Sequence, residues 1–223
     1  MKAMILAAGR GERLRPLTDK VPKPLVEVAG QTLLGRHLQR LARAGFTQAV
    51  INVSHLAELI VARFGDGSRE GMRIDWSREN APLETAGGIA QARALLGPEP
   101  FLLVNADIWC DYEYSRLRGF ELGARLSHLV LVPNPPQHPA GDFTLASGVV
   151  GNGPPPRYTY AGIAVISPRL VAGIAAGSKA RLAPLWRAAA ERAQVTGELH
   201  DGQWSDVGTP ERLSALEARL KET

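Results

Sequence analysis

The sequence predicts one α/β domain of 223 residues, a Rossmann-like three-layer α/β/α fold around a mainly parallel, mixed central sheet. Three observations carry that expectation. Up to Asp111, short apolar runs alternate with helical segments, the βαβ rhythm of a parallel sheet covered on both faces. After Asp111 the rhythm gives way to Pro- and Gly-rich turns between short strand candidates, which adds a mixed part to the sheet. A chain of this length that is 45% hydrophobic and 22% charged can also bury a sizeable core.

Residues 2–7 read as a short buried strand ending in Ala-Gly, where open α/β sheets turn a loop toward a ligand. A helix follows over 33–44, because Leu34, Leu38 and Leu41 recur at helical spacing before Gly45 stops it. Strands at 49–53, 72–76 and 101–104 then alternate with helices at 56–64 and 86–96, and the strand at 101–104 is especially apolar. Beyond Asp111 we expect a helix near 114–124, a strand at 128–132, short strands at 142–145 and 149–150, and a turn-rich link over 151–156. A longer strand at 158–167 follows, and helices over 182–193 and 210–220 flank the segment 198–208. No internal repeat or interdomain linker is evident.

Composition excludes several function classes. The net charge of +4 is spread along the chain without a run of five like charges, and the basic residues have few aromatic neighbours, which argues against a nucleic-acid surface. No apolar run approaches the roughly 20 residues of a membrane span, and the apolar start is closed by Arg10 too early for a signal peptide. The expectation is a cytoplasmic protein, free of membrane, as a monomer or weak homo-oligomer. The single cysteine, Cys110, rules out an intrachain disulfide and reads as a packed core residue. His37, His55, His128, His138 and His200 show no pair at metal-ligand spacing, so zinc is not expected.

The chemistry concentrates behind the first strand. Gly9 and Gly11 do not belong to a dinucleotide fingerprint, since Leu14 stands where the third glycine should be, and no Gly-Lys-Ser/Thr of a P-loop follows. What remains is a turn whose backbone N–H groups can approach an anion closely. Arg13 and Arg15 offer planar forks for phosphate oxygens, and Lys23 offers a compact charge braced between Pro22 and Pro24. Asp107 ends the apolar strand at 101–104, where it can serve a ligand or cap the following turn.

At this point the residues resemble a known family, the nucleotidyltransferases that make nucleotide sugars from a nucleoside triphosphate and a sugar 1-phosphate. The run LAAGRGERLRPLT over 6–18, followed by Pro22-Lys23-Pro24-Leu25, is similar to that family's signature almost without gaps. Glu12 departs from the small hydroxyl residue commonest there. PLETAGG over 82–88 resembles the family's base-binding segment, Val104-Asn105-Ala106-Asp107 its first metal motif, and WSDVGT over 204–209 the late motif in which an acid joins the first on the metal.

The resemblance implies a Mg²⁺-dependent enzyme with no covalent intermediate. It assigns Arg13, Lys23 and Asp107 to catalysis, and Asp107 with Asp206 to Mg²⁺, which is typically held by one or two carboxylates plus substrate phosphates. Gly9, Gly11, Glu12, Arg13, Lys23, Gly87, Gly88 and Asn105 would bind the nucleotide, and Asp142 and Gly162 the sugar. Arg157 is the candidate cation for an acidic sugar substituent. Residues 1–111 would form the nucleotide-binding part and 112–223 the sugar-binding part, with the second metal ligand, of one domain. Within the family the chain looks most like the compact bacterial uridylyltransferases acting on N-acetylmuramate α-1-phosphate in peptidoglycan recycling, which implies UTP as the donor. The chain ends soon after Asp206, so the β-helix or regulatory extension of larger relatives is not expected.

Mannose 1-phosphate guanylyltransferases share nearly the same opening motif and are the alternative. A non-catalytic, nucleotide-sugar-binding regulatory subunit should lack one of Arg13, Lys23, Asp107 and Asp206, yet all four are present. A glycosyltransferase usually carries an Asp-x-Asp metal motif, and the spacing from Asp107 to Asp111 is wrong for one.

Overall fold

The computed structural model describes residues 1–221. Its strands are β1 (Ala3–Leu6), β2 (Glu27–Val28), β3 (Gln31–Thr32), β4 (Gln48–Val53), β5 (Arg73–Arg78), β6 (Phe101–Asn105), β7 (Ile108–Cys110), β8 (Ser127–Val132), β9 (Thr144–Ala146), β10 (Val149–Gly151), β11 (Thr159–Ile166), β12 (Val195–Leu199) and β13 (Trp204–Asp206). The helices are α1 (Leu33–Arg43), α2 (Ala57–Phe64), α3 (Glu84–Leu96), α4 (Leu182–Ala190) and α5 (Pro210–Lys221). The main sheet runs β5-β4-β1-β6-β11-β8-β12-β10-β9. The β5-β4-β1-β6 half is parallel, β11 pairs antiparallel with both β6 and β8, and β12 is parallel to β8.

Alternation along β1 explains the three layers. Ala3 and Ile5 share one apolar cluster with Leu34, Leu38 and Leu41 of α1 and with Ile60 and Phe64 of α2. Met4 joins a second cluster with Ile89, Ala92 and Leu96 of α3 and Leu182 and Trp186 of α4. Successive strand side chains point to opposite faces, so one apolar run can serve two helix layers. Each fully buried leucine among them contributes roughly 1.5–3 kcal/mol. The start of α1 is fixed locally: the Thr32 hydroxyl accepts the Gly35 N–H at 3.1 Å and so satisfies one of the helix's unpaired donors.

Three expectations need correction. Residues 114–124 do not form a helix; a single 3₁₀ turn, Tyr114–Leu117, is followed by Gly119 at φ +80° and Gly123 at φ +55°, conformations that end helical geometry. The helix expected over 182–193 stops at Ala190, and β12 follows as a sheet strand that the sequence reading missed. Gly197 interrupts its apolar pattern because the β10 and β8 neighbours crowd it: a Cβ there would lie 2.8 Å from Val150 and 2.9 Å from the Leu129 carbonyl. Finally, α3 begins at Glu84 and not at 86, which matters for the site.

A small antiparallel ladder connects the ends of the chain. β13 pairs with β7, placing Asp206 opposite Ile108, and the Val207 N–H donates to the Asp107 carbonyl at 2.8 Å. Val207 and Leu216 of α5 then close a third apolar cluster with Val26, Val28 and Leu33.

Candidate active site

A cleft of about 1010 Å³ opens at the C-terminal ends of the parallel strands. Asn52, Leu6 and Asn105 stand abreast in the registers of β4, β1 and β6, and all three border it. This is where open α/β sheets place ligands, because the loops leaving adjacent strands diverge there. The turn Gly9–Gly11 with Glu12, Arg13 and Lys23 also borders the cleft, as do Pro82, Glu84 and Thr85 at the start of α3 and Asp107 after β6.

The glycine turn folds back on the segment behind it. Gly11 has φ +66°, and a Cβ would lie 2.9 Å from Thr18 Cγ2 and 3.2 Å from Lys23 Cβ, so both conformation and space demand glycine. The Thr18 hydroxyl donates to the Gly11 carbonyl at 2.9 Å and ties the turn down. Lys23 opens a 3₁₀ turn, Lys23–Leu25, flanked by Pro22 and Pro24. Its side chain is only 10% exposed, and Nζ lies 2.7 Å from Asp107 Oδ2, on a carboxylate that is 42% exposed. A nearly buried ammonium needs such a partner. Because the acid remains open to the cleft, the pair can be shared with an incoming phosphate or cation.

Behind the floor lies a relay that the sequence reading missed. The Asn52 carbonyl accepts the Ala7 N–H at 2.8 Å, its amide donates to Glu79 Oε1 at 2.6 Å, and Glu79 Oε2 accepts the Leu83 N–H at 2.9 Å. These buried groups tie the loop after β1 to the loop before α3, and the one available signal was a polar Asn inside the apolar run of β4. Gly88 packs against them: a Cβ would sit 2.7 Å from both Asn52 Nδ2 and Glu79 Oε1. Glu84, at φ +62° on the cleft, and Lys179 were missed as well.

His37 links α1 to the strand that follows Asp107. Its Nε2 lies 2.9 Å from the Ile108 carbonyl, which can only accept, so the neutral ring carries its proton there, and Nδ1 accepts from the Tyr114 hydroxyl at 2.9 Å. Burial, reinforced by Arg40, pushes its pKa down from 6.5 to about 4. Between those values an unfolded chain takes up a proton that the folded chain refuses. The stability is therefore intact above pH 6.5 and lost as the pH falls toward 4, by about 3 kcal/mol. Urea unfolding at pH 7 and pH 4.5 should show this loss in the wild type and a smaller one in His37→Gln; equal losses would contradict it.

The cleft gathers Gly9, Gly11, Glu12, Arg13, Lys23, Asn105 and Asp107 from the residues singled out in the sequence. Gly87, Gly88, Asp142, Arg157, Gly162 and Asp206 do not border it. Gly87 and Gly88 are buried inside α3, because the helix begins at Glu84; the segment meets the cleft through Pro82, Glu84 and Thr85. Gly162 sits behind Asn105, whose Nδ2 would be 3.2 Å from a Cβ at that position. Asp142 is occupied locally: Oδ1 lies 3.0 Å from His138 Nε2 and Oδ2 accepts the Tyr160 N–H at 2.8 Å. The Arg157 guanidinium donates from Nε to the Gly153 carbonyl at 2.9 Å and from Nη2 to the Asn152 carbonyl at 3.2 Å. Arg15 pairs with Asp19 in solvent.

The donors suit magnesium in type. Asp107 and Asp206 offer hard carboxylate oxygens on adjoining backbone segments, as an Mg²⁺ site shared with phosphates requires. Asp107 borders the cleft. Asp206 does not: Arg212 Nη1 holds both its oxygens, at 2.8 and 2.6 Å, and Gln137 donates to Oδ1 at 2.8 Å. Gly208, two residues on, borders the cleft, and a Cβ on it would lie 3.0 Å from Asp206 Oδ2. Asp206 thus stands one layer back from the cleft, held by Arg212 and Gln137.

Comparison with known proteins agrees with this architecture. The protein is 49% identical to an N-acetylmuramate alpha-1-phosphate uridylyltransferase of Neisseria meningitidis, over 98% of this chain and 97% of that protein. A protein of the same name from Caulobacter vibrioides is 36% identical over 99% of this chain and 97% of its own length. Among solved structures, one from Bacillus anthracis, described as a glucose-1-phosphate thymidylyltransferase in complex with a sucrose, superposes with a TM-score of 0.87 over 100% of this chain and 96% of its own. At 17% identity that likeness speaks to the fold alone. The sequence model for nucleotidyl transferases matches residues 2–143, which hold the glycine turn, Lys23 and Asp107. With most of its length under that model and relatives matched end to end, the chain belongs to the nucleotidyl transferase family.

Proposed function

We propose that the protein transfers a uridylyl group from UTP to N-acetylmuramate α-1-phosphate, giving UDP-N-acetylmuramate and pyrophosphate, in the cytoplasmic recycling of peptidoglycan. The observation that carries this reading is the end-to-end similarity, at 49% identity, to the Neisseria meningitidis protein of that name. The cleft supports it by offering the exposed Arg10 and Arg13, the braced Lys23, a glycine turn and an open carboxylate within a single cavity.

The chemistry needs no covalent nucleophile. A phosphate oxygen of the sugar 1-phosphate attacks the α-phosphorus of UTP in line, the bond from that phosphorus to the bridging oxygen breaks, and pyrophosphate leaves with the electron pair. Such transfers are catalysed by positioning and charge neutralisation. The N–H groups of the Gly9–Gly11 turn and the Arg13 fork hold the departing phosphates, and Lys23 neutralises charge on the reacting ones. Asp107, together with Asp206 once freed from Arg212, would hold Mg²⁺, which when bound would neutralise further charge on the phosphates. The segment 82–85 and Asn105 face the nucleoside. On this reading the sugar lies on the Asn105 side of the cleft, next to Gly162.

Incubation with UTP, N-acetylmuramate α-1-phosphate and Mg²⁺ should yield UDP-N-acetylmuramate and pyrophosphate in equal amounts by mass spectrometry. Release of phosphate or UMP without a nucleotide sugar would refute the reading. A guanylyl transfer to mannose 1-phosphate is the second reading, favoured by 40% identity to a Xenopus laevis mannose-1-phosphate guanyltransferase. That likeness spans only 54% of this chain and 34% of that protein.

A further inference from the structure

Outside the cleft, three metal-ligating side chains converge where the β7–β13 ladder opens. Cys110 and Asp111 end and follow β7, and His200 follows β12. The Asp111 N–H donates to the Gln203 carbonyl at 3.1 Å and the His200 N–H to the Leu131 carbonyl at 2.8 Å, which holds both backbones in place. One ligand atom from each of Cys110, Asp111 and His200 lies within 4.8 Å of the other two. His200 Nε2 is 2.6 Å from Asp111 Oδ1. The backbone of Gly202 passes so close that a Cβ there would stand 2.5 Å from Asp111 Oδ1 and 2.6 Å from His200 Nε2. The thiol is fully buried, and the imidazole is only 14% exposed. None of the three residues borders the cleft.

A thiolate, an imidazole nitrogen and a carboxylate oxygen form a donor set for a borderline divalent ion such as zinc, whereas magnesium disfavours sulfur. The spacing of histidines in the sequence could not show this, because the ligands come from two segments about ninety positions apart that the sheet brings together. We propose that Cys110, Asp111 and His200 bind one zinc-class divalent ion at a site separate from the cleft, which cross-links the end of β7 to the β12–β13 connection.

Zinc bonds of about 2.0–2.3 Å place ligand atoms roughly 3.3–3.8 Å apart in a tetrahedron, so the His200–Asp111 pair, now 2.6 Å apart, has to open by about 0.7 Å, its hydrogen bond giving way to the shared ion, while Cys110 Sγ already lies within 4.8 Å of both. On binding, the S–H bond of Cys110 breaks, the sulfur pair is donated to the ion and the proton passes to solvent; a water completes the fourth position. The consequence reaches the cleft through the ladder itself. β7 starts immediately after Asp107 and β13 ends at Asp206, so an ion at the opposite end of both strands stiffens the segment that presents the two acids.

The protein has one cysteine, which makes the test specific, since a thiolate-to-cobalt charge-transfer band in the near ultraviolet can arise only at Cys110. The reduced full-length protein, titrated with Co²⁺, should develop that band to one equivalent and lose it when Zn²⁺ is added. Cys110→Ser should abolish it and Asp107→Asn should leave it unchanged. Because Cys110 is buried and its variant can fail to fold, His200→Gln provides the second arm, with affinity for Co²⁺ at least about tenfold weaker and an unchanged circular dichroism spectrum. A wild-type protein without the band, or a His200→Gln variant titrating like the wild type, would overturn the proposal.

Discussion

Asp107→Asn is expected to lower kcat by about a thousandfold or more, some 4 kcal/mol of transition-state stabilisation, with the protein still folded. The carboxylate stands at the cleft, 42% exposed, with one oxygen on Lys23. Asparagine keeps an acceptor for that ammonium but removes the charge a cation on the phosphates requires. The thermal midpoint should fall modestly, because the nearly buried Lys23 ammonium keeps an acceptor but loses its counter-charge. Asp206→Asn should lose turnover on the same scale, with a different structural signature. Both oxygens of Asp206 accept from Arg212 in a half-buried pair, so this variant should also lose about 1–3 kcal/mol of stability, read from urea unfolding. Near wild-type turnover in either variant, with Mg²⁺ supplied, would remove the two-acid site.

Lys23→Ala is expected to cost about 2 to 4 kcal/mol in kcat/KM, roughly 30- to 1000-fold, the range seen when one electrostatic stabiliser is removed. Lys23 is the one cleft cation that is both nearly buried and aimed at the acid. Its charge is thus less screened than those of Arg10 and Arg13, which stand in solvent. Stability should change little, because the acid left behind is partly solvated and can be hydrated. A lysine that merely braced the turn would give the opposite pattern: a lower melting temperature and an unchanged rate for the folded fraction.

What could be read in the sequence divides along physical lines. The βαβ half was legible because β1, β4 and β6 are short, largely apolar runs and α1 has an apolar stripe at Leu34, Leu38 and Leu41. The second half was less so. β12 carries Thr196, Gly197 and Glu198 among its five residues, and its identity as a strand comes from pairing with β8 and not from its own pattern. Residues 114–124 show the converse, with helical spacing overridden by two glycines in left-handed conformation.

The cleft was legible where motif and strand end coincide, at Gly9, Gly11, Lys23, Asn105 and Asp107. It was illegible where a role depends on which way a side chain is drawn. Arg157 and Asp142 look available in the sequence, yet Arg157 donates to two nearby carbonyls and Asp142 accepts from the Tyr160 N–H and pairs with His138, which no spacing reveals. Asn52 and Glu79 escaped notice for the opposite reason: nothing in their own segments says that they meet.

Base and sugar choice remain the most direct test. Initial rates of pyrophosphate release should be measured for ATP, CTP, GTP and UTP, each crossed with the 1-phosphates of N-acetylmuramate, N-acetylglucosamine, mannose and glucose. UTP with N-acetylmuramate α-1-phosphate should give the highest kcat/KM of the matrix, and Asp107→Asn should abolish that rate. A best pair of GTP and mannose 1-phosphate would contradict the assignment.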